Sequence, residues 1–203
     1  MSKAKIGLSQ KERELVIDAT FILTKNAILE KVKYLLLEVQ EKQEKFFHHP
    51  QLFIADDYKK KSPKISKGEN YKGLPYLMLD YPRIFNNSTI FAIRTMFWWG
   101  NFFSLTLHLS GDYKKRLEAK IAAVFSTLKK NNFSCCVNDD QWQHDFETGN
   151  YIPLTQLGKA AFEKIISEKS FIKLATKTPL HLWDDAPDIL FNDFKKIIEI
   201  LDA

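Results

Sequence analysis

The fold is decided by residues 90–110, IFAIRTMFWWGNFFSLTLHLS. Aromatic and β-branched residues fill both halves of this stretch, and the Gly100-Asn101 pair between them is typical of a turn, so we predict a β-hairpin. Side chains alternate between the two faces of a strand, and the length of the turn therefore determines which residues of the two strands share a face. The hairpin thus predicts the composition of both faces of the sheet.

The position of Arg94 decides between two lengths of turn. A two-residue turn would place Arg94 beside Leu105 and Leu107, and burying an unpaired guanidinium among leucines costs several kcal/mol. A three-residue turn, Trp99 to Asn101, avoids this and is the length that we predict. One face then carries Phe91, Ile93, Thr95, Phe97, Phe103, Leu105, Leu107 and Leu109. The opposite face, which we name the polar-aromatic face, carries Arg94, Met96, Trp98, Phe102, Ser104, Thr106 and His108.

Residues 74–81 predict a third strand that extends the same alternation. The apolar face gains Leu77, Leu79 and Tyr81, and the polar-aromatic face gains Tyr76, Met78 and Asp80. Flat aromatic side chains mixed with a few convergent polar groups are typical of a ligand site. The residues that we predict to bind a ligand are Tyr76, Arg94, Trp98, Ser104 and Thr106.

Three polar residues give the polar-aromatic face its chemistry. Asp80 and Arg94 are placed to form an ion pair, which lowers the pKa of a carboxylate and orients a guanidinium toward an anion. His108 is a residue type that exchanges protons near neutral pH, so Asp80 and His108 are the candidate catalytic residues. In the alternative interpretation the face is simply covered, by helices or by a dimer partner, and Trp98 and Phe102 serve only packing.

The search for established motifs leaves catalysis open. The nucleotide-binding, zinc-protease and serine-hydrolase signatures are absent. Residues 138–150 predict a polar loop that follows the adjacent Cys135 and Cys136, and adjacent cysteines rarely bind one zinc, so we predict no metal and no cofactor. The leading hypothesis is a non-catalytic binding or interaction module for a small anionic ligand or a protein partner. An enzyme that uses Asp80, Arg94 and His108 is the alternative.

The rest of the chain predicts an α+β fold, an antiparallel β-meander of three to five strands packed against several α-helices. Ser9 and Glu12 form a capping box, and helical spacing continues to Phe46, either as one long helix or as two helices that break near residues 24–26. The longer helix favours a homodimer. We predict one domain, 1–203, with a helical region at 1–49, a basic loop or linker at 50–73 and a sheet-and-helix core at 74–203.

Charge and composition bear on partners and location. The net charge is +5, and residues 1–72 hold all of the excess, with 15 Lys and Arg against 10 Asp and Glu. This basic N-terminal third makes nucleic-acid binding a further alternative, although lysines on helices and loops are more often simply solvated. We expect no membrane span and no secretory signal, and the adjacent cysteines cannot form a disulfide scaffold. A cytoplasmic location fits these features.

Overall fold

Six α-helices and seven antiparallel strands make up the parts of the chain that the computed structural model describes, residues 6–47 and 61–202. The strands belong to one sheet with the order β1-β2-β3-β4-β7-β5-β6. They are β1 (Lys64–Tyr71), β2 (Leu74–Phe85), β3 (Ile90–Trp98), β4 (Phe102–Ser110), β5 (Ser134–Cys136), β6 (Tyr151–Pro153) and β7 (Phe171–Pro179). The α+β class and the antiparallel sheet are confirmed. The first four strands form the meander, and three strands from the second half of the chain widen the sheet.

The β3–β4 hairpin has the predicted register. Trp98 pairs with Phe102 and Phe97 pairs with Phe103, so the turn between them is three residues long. Arg94 lies opposite Thr106, on the face that Leu105 and its neighbouring leucines do not share. The prediction from strand parity is confirmed, and β2 continues both faces.

Of the six described helices, all but the first pack on the apolar face of the sheet. The six are α1 (Gln10–Ile17), α2 (Ala19–Phe47), α3 (Gly111–Ala123), α4 (Phe125–Lys130), α5 (Lys159–Glu168) and α6 (Ala186–Asp202). Apolar residues of α2, α3 and α6, including Leu36, Ile121 and Phe194, form one core with Leu79, Phe91 and the leucines of β4. None of the described helices is at once long enough and apolar enough to cross a bilayer.

The N-terminal region forms two helices, with the break at a different residue from the one that we predicted. The capping box at the start of α1 is present, since Ser9 Oγ accepts from the Glu12 N–H at 3.3 Å and Glu12 accepts from the Ser9 N–H at 2.7 Å. The break is at Asp18, not at 24–26, because the Asp18 carboxylate accepts from the Thr20 N–H at 2.9 Å and starts a new helix. Asp18 thus separates α1 from α2, and no glycine or proline is needed at the break.

The segment 50–73 differs from the predicted basic loop or linker. Its described part contains β1, which pairs antiparallel with β2 at the edge of the sheet, while residues 48–60 lie outside the described residues. Lysines such as Lys64 and Lys67 are typical of an edge strand, where charge discourages pairing with another chain. Gly68 lies beneath the Tyr76 ring, which leaves no room for a Cβ atom. A charged strand containing glycine resembles a loop in sequence.

Candidate functional site

The strands bring the predicted site residues onto one face but divide them into two groups. Asp80 pairs with Arg94, Arg94 with Thr106, and His108 lies on β4 two residues beyond Thr106. Tyr76 and the remaining aromatic residues lie toward the other end of the same strands. The polar-aromatic face therefore has a polar end and an aromatic end.

The aromatic end is a small packed core. Trp98 is buried, its indole N–H donates to the Tyr71 carbonyl at 3.2 Å, and its ring lies edge-on to those of Tyr71 and Phe102. Tyr76 packs against this cluster, and the buried Ser104 lies opposite Met96. Because the polar group of Trp98 already has a backbone partner, the ring serves packing. The alternative interpretation of Trp98 and Phe102 fits their surroundings.

Arg94 dominates the polar end. Its Nε donates to Asp80 Oδ1 at 2.7 Å, and the guanidinium lies 5.4 Å from the Phe85 ring centre and 5.8 Å from that of Trp142. Both distances are within the range of cation–π attraction. The Nη1 atom is buried and has no hydrogen-bond partner in the described part of the chain. One donor of a largely covered cation is therefore left over after the ion pair is made.

Residues 137–150, the β5–β6 loop, cover the polar end. The predicted polar loop is therefore packed on the sheet and not fully solvated, with Asp145 and Asn150 buried. Gln141 accepts from His108 Nε2 at 3.0 Å, and the Trp142 ring lies 5.5 Å from that of His108. The β5–β6 loop thus covers Arg94 and His108 directly.

The β1–β2 hairpin holds the β5–β6 loop in place. The Tyr71 hydroxyl donates to Asp145 Oδ2 at 2.9 Å and accepts from the His144 N–H at 2.7 Å. Lys72 forms ion pairs with Asp145 at 3.1 Å and Glu147 at 2.7 Å. Burial by itself would raise the pKa of Asp145, but the hydrogen bonds from Lys72 and Tyr71 lower it below its ordinary value. Asp145 therefore remains charged and committed to this contact at neutral pH.

Lys173 is a site residue that the sequence analysis missed. It lies on β7 directly opposite His108, is only 1% exposed, donates to the Gln143 carbonyl and lies 5.3 Å from the Tyr151 ring centre. Burial lowers the pKa of Lys173 to about 8, and the nearby Arg94 cation contributes. In the sequence, Lys173 stands out as a charged residue within the otherwise apolar run 171–175. Only the pairing of β4 with β7 shows that it lies opposite His108.

The two histidines of the site are held neutral. Burial, with the charges of Lys173 and Arg94, lowers the pKa of His108 to about 3, and the same causes lower that of His144 to about 2. His108 Nδ1 is buried and has no partner in the described ranges. The polar end thus collects four basic side chains, while Asp80 and Asp145 are already paired with Arg94 and Lys72.

The cysteines contribute no reactive group to this site. Cys135 and Cys136 are buried and free, and burial raises the pKa of Cys135 to about 12, which keeps it a thiol. Within residues 6–47 and 61–202, no three His, Cys, Asp or Glu side chains are grouped to hold a metal ion. The chemistry of the polar end is therefore that of hydrogen-bond donors and cations.

Comparison with known proteins adds no assignment. No family model matches the chain, and no curated protein is significantly similar to it. The geometry of the polar end is consequently the basis for a functional proposal. That geometry offers positive charge, an unused Arg94 donor and an aromatic wall formed by Phe85 and Trp142.

Proposed function

We propose that the protein is a non-catalytic binding module whose polar-aromatic face takes a small anion beneath the β5–β6 loop. The observation that carries this proposal is the buried Arg94 Nη1 atom without an acceptor, beside a buried Lys173. An unsatisfied buried donor costs about 1–3 kcal/mol, and a buried cation without a matching anion costs more. An anion held among these groups would remove both costs.

The balance of charge favours an anion over other small ligands. Among the described residues, the carboxylate that pairs with Arg94 is that of Asp80, through a 2.7 Å hydrogen bond, and Lys173 donates to a carbonyl and not to a carboxylate. A bound anion would also favour the protonated form of His108, which would turn Nδ1 from an acceptor into a donor. The face then supplies donors from β3, β4 and β7 to one ligand.

Access requires the β5–β6 loop to move. Its contacts to the hairpin depend on Tyr71 and Lys72, and these two residues hold only the stretch around Asp145. The opposite side of the loop carries Trp142, which is 48% exposed although its ring faces Arg94. We assign the entrance to the Trp142 side, because a half-exposed side chain is displaced more easily than the buried Asp145 carboxylate, which is bonded to both Tyr71 and Lys72.

Acid-base catalysis by Asp80 and His108 has less support than binding. A histidine with a pKa of about 3 carries almost no proton at neutral pH and is a poor general acid there. The Asp80 carboxylate is engaged by two guanidinium nitrogens of Arg94, at 2.7 and 3.5 Å. Both groups are therefore better suited to orient a ligand than to exchange protons with one.

The other predicted partners are separate proposals. Nucleic-acid binding through the N-terminal third is weakened because Lys25, Lys42 and Lys67 are each paired with a carboxylate. A protein partner on the polar-aromatic face would have to displace the β5–β6 loop first. Homodimer formation concerns the N-terminal helices and not this face, and the cytoplasmic location stays a prediction.

Titration of the purified protein with inorganic phosphate, sulfate and acetate tests the proposal. We expect at least one of these anions to raise the melting temperature and to bind in calorimetry. Lys173→Met, and the charge-balanced pair Asp80→Asn with Arg94→Met, should each weaken binding at least tenfold. Lys177→Met is the matched control, because Lys177 lies on the same strand and face but is exposed. Equal binding by all variants, or no binding to the wild type, would refute the proposal.

A further inference from the structure

Exposed apolar side chains are concentrated at the N-terminus. Every residue from 6 to 24 is exposed, and eight large apolar side chains there are 40 to 83% exposed. The eight are Ile6, Leu8, Leu15, Val16, Ile17, Phe21, Ile22 and Leu23. In the rest of the described chain, only Tyr34 and Trp142 are large, apolar and comparably exposed. We name residues 6–28 the N-terminal arm.

The N-terminal arm continues the apolar stripe of α2 beyond the part of that stripe that the sheet and α6 bury. In α2 the stripe begins at Leu29 and continues through Val32, Leu36 and Val39, which belong to the core between the sheet and α6. One heptad before Leu29 the same stripe reaches Ile22, which is 48% exposed. The ten residues of α2 before Leu29 span about 15 Å at 1.5 Å per residue, and α1 lies beyond them.

The uncovered apolar area is of the size that a stable interface needs. At roughly 150 Å² for a large apolar side chain, eight side chains about 60% exposed leave roughly 700 Å² uncovered. A standard interface buries roughly 800 Å² on each partner. Monomeric proteins rarely leave so much apolar side-chain area concentrated in one short segment in water. The arm therefore matches one side of an interface.

The charge of the arm restricts what covers it. Its three basic side chains are balanced by three acidic ones: Lys11, Arg13 and Lys25 against Glu12, Glu14 and Asp18. Helices that lie on anionic lipid carry an excess of Lys and Arg on their polar face, and nucleic acid likewise needs net positive charge. A neutral, strongly apolar surface is instead typical of an interface between identical chains.

We propose that the N-terminal arm docks against the arm of a second copy of this chain, forming a two-fold symmetric dimer. The same surface then serves both partners, as in most homodimers. Ile17 and Leu23, which are 83% and 66% exposed, become buried in the interface. The polar-aromatic face lies elsewhere, so dimer formation does not depend on anion binding.

Sedimentation of the full-length protein over about 1 to 100 µM tests the dimer. We expect the wild type to approach twice the 23.7 kDa monomer mass. Ile17→Glu and Leu23→Glu should each raise the dissociation constant at least about 100-fold, because the dimer would bury two unpaired carboxylates. Tyr34→Glu is the control, since Tyr34 is exposed on α2 outside the arm and its substitution should leave the mass unchanged.

Three results would overturn the proposal. The first is a wild type that stays at 23.7 kDa across the whole range. The second is dimer formation that Ile17→Glu and Leu23→Glu leave intact, which would assign the interface to another surface. The third is a monomer that binds phosphatidylcholine–phosphatidylglycerol vesicles through the arm, which would make lipid its occupant. Unchanged circular dichroism spectra confirm that the variants are folded, which is expected because both residues are exposed.

Discussion

The polar-aromatic face and the N-terminal arm depart from the usual distribution of residues in opposite directions. The face covers Arg94, His108 and Lys173, residue types that ordinarily lie in water, whereas the arm exposes Ile17 and Leu23, which ordinarily lie in a core. Both arrangements raise the free energy of the isolated folded chain. The two proposals differ accordingly: a bound anion would lower the cost at the face, and the apolar surface of a second copy would lower the cost at the arm.

The largest expected effect is the loss of folding stability in acid, which arises at the polar end of the polar-aromatic face. The pKa of His108 is about 3 in the folded chain and near 6.5 when unfolded, so only the unfolded state gains this proton as the pH falls below 6.5. Stability is therefore full above pH 6.5 and should fall by about 3 kcal/mol between pH 6.5 and pH 4 through His108 alone. Urea denaturation across this range measures the loss. His108→Gln should reduce the slope, whereas His181→Gln, at an exposed position, should not.

Breaking the covered ion pair should have the next largest effect. Asp80→Ala leaves the Arg94 guanidinium without its carboxylate at a site where both side chains are less than 15% exposed. We expect a loss of about 2–3 kcal/mol in the free energy of unfolding. Asp112→Ala, which removes an exposed ion pair with Lys115, should cost less than about 0.5 kcal/mol. Equal losses in the two variants would mean that the polar end is more hydrated than its burial indicates.

Anion affinity should depend on the charge of Lys173. Its pKa of about 8 means that the side chain is mostly protonated at pH 7 and mostly neutral at pH 9. Affinity for the anion that binds best should therefore fall up to tenfold per pH unit above pH 8. Calorimetry at pH 7, 8, 9 and 9.5 measures this, with Lys173→Met as the reference that lacks the titrating lysine. A constant affinity in the wild type would remove Lys173 from the site.

The arm should show the smallest effect on the folding of a single chain. Because Leu23 is 66% exposed, Leu23→Glu should change the free energy of unfolding by less than about 0.5 kcal/mol at concentrations where the wild type is monomeric. At higher concentrations only the wild type should gain stability, since dimer formation stabilises the folded state. Chemical denaturation at two protein concentrations separates these cases. A large loss in the dilute sample would place Leu23 in the core.

Local patterns predicted strands β2, β3 and β4 well. The unfavourable burial of Arg94 among leucines was enough to give the turn length, and the turn length gave the faces of β3 and β4. The capping box at Ser9 was equally local. The edge strand β1 was missed because Lys64, Lys67 and Gly68 resemble a loop, and an edge strand needs little apolar surface.

The sequence by itself determined strand parity, because alternation along a strand is a property of neighbouring residues. Only the tertiary structure decided what covers the face and which residue completes it. Lys173 is 65 residues away from His108 in the chain, and the β5–β6 loop reaches Arg94 through contacts made by Tyr71 and Lys72. Such contacts depend on which strands pair across the sheet and on how much burial each group tolerates. Local periodicity predicts neither of these.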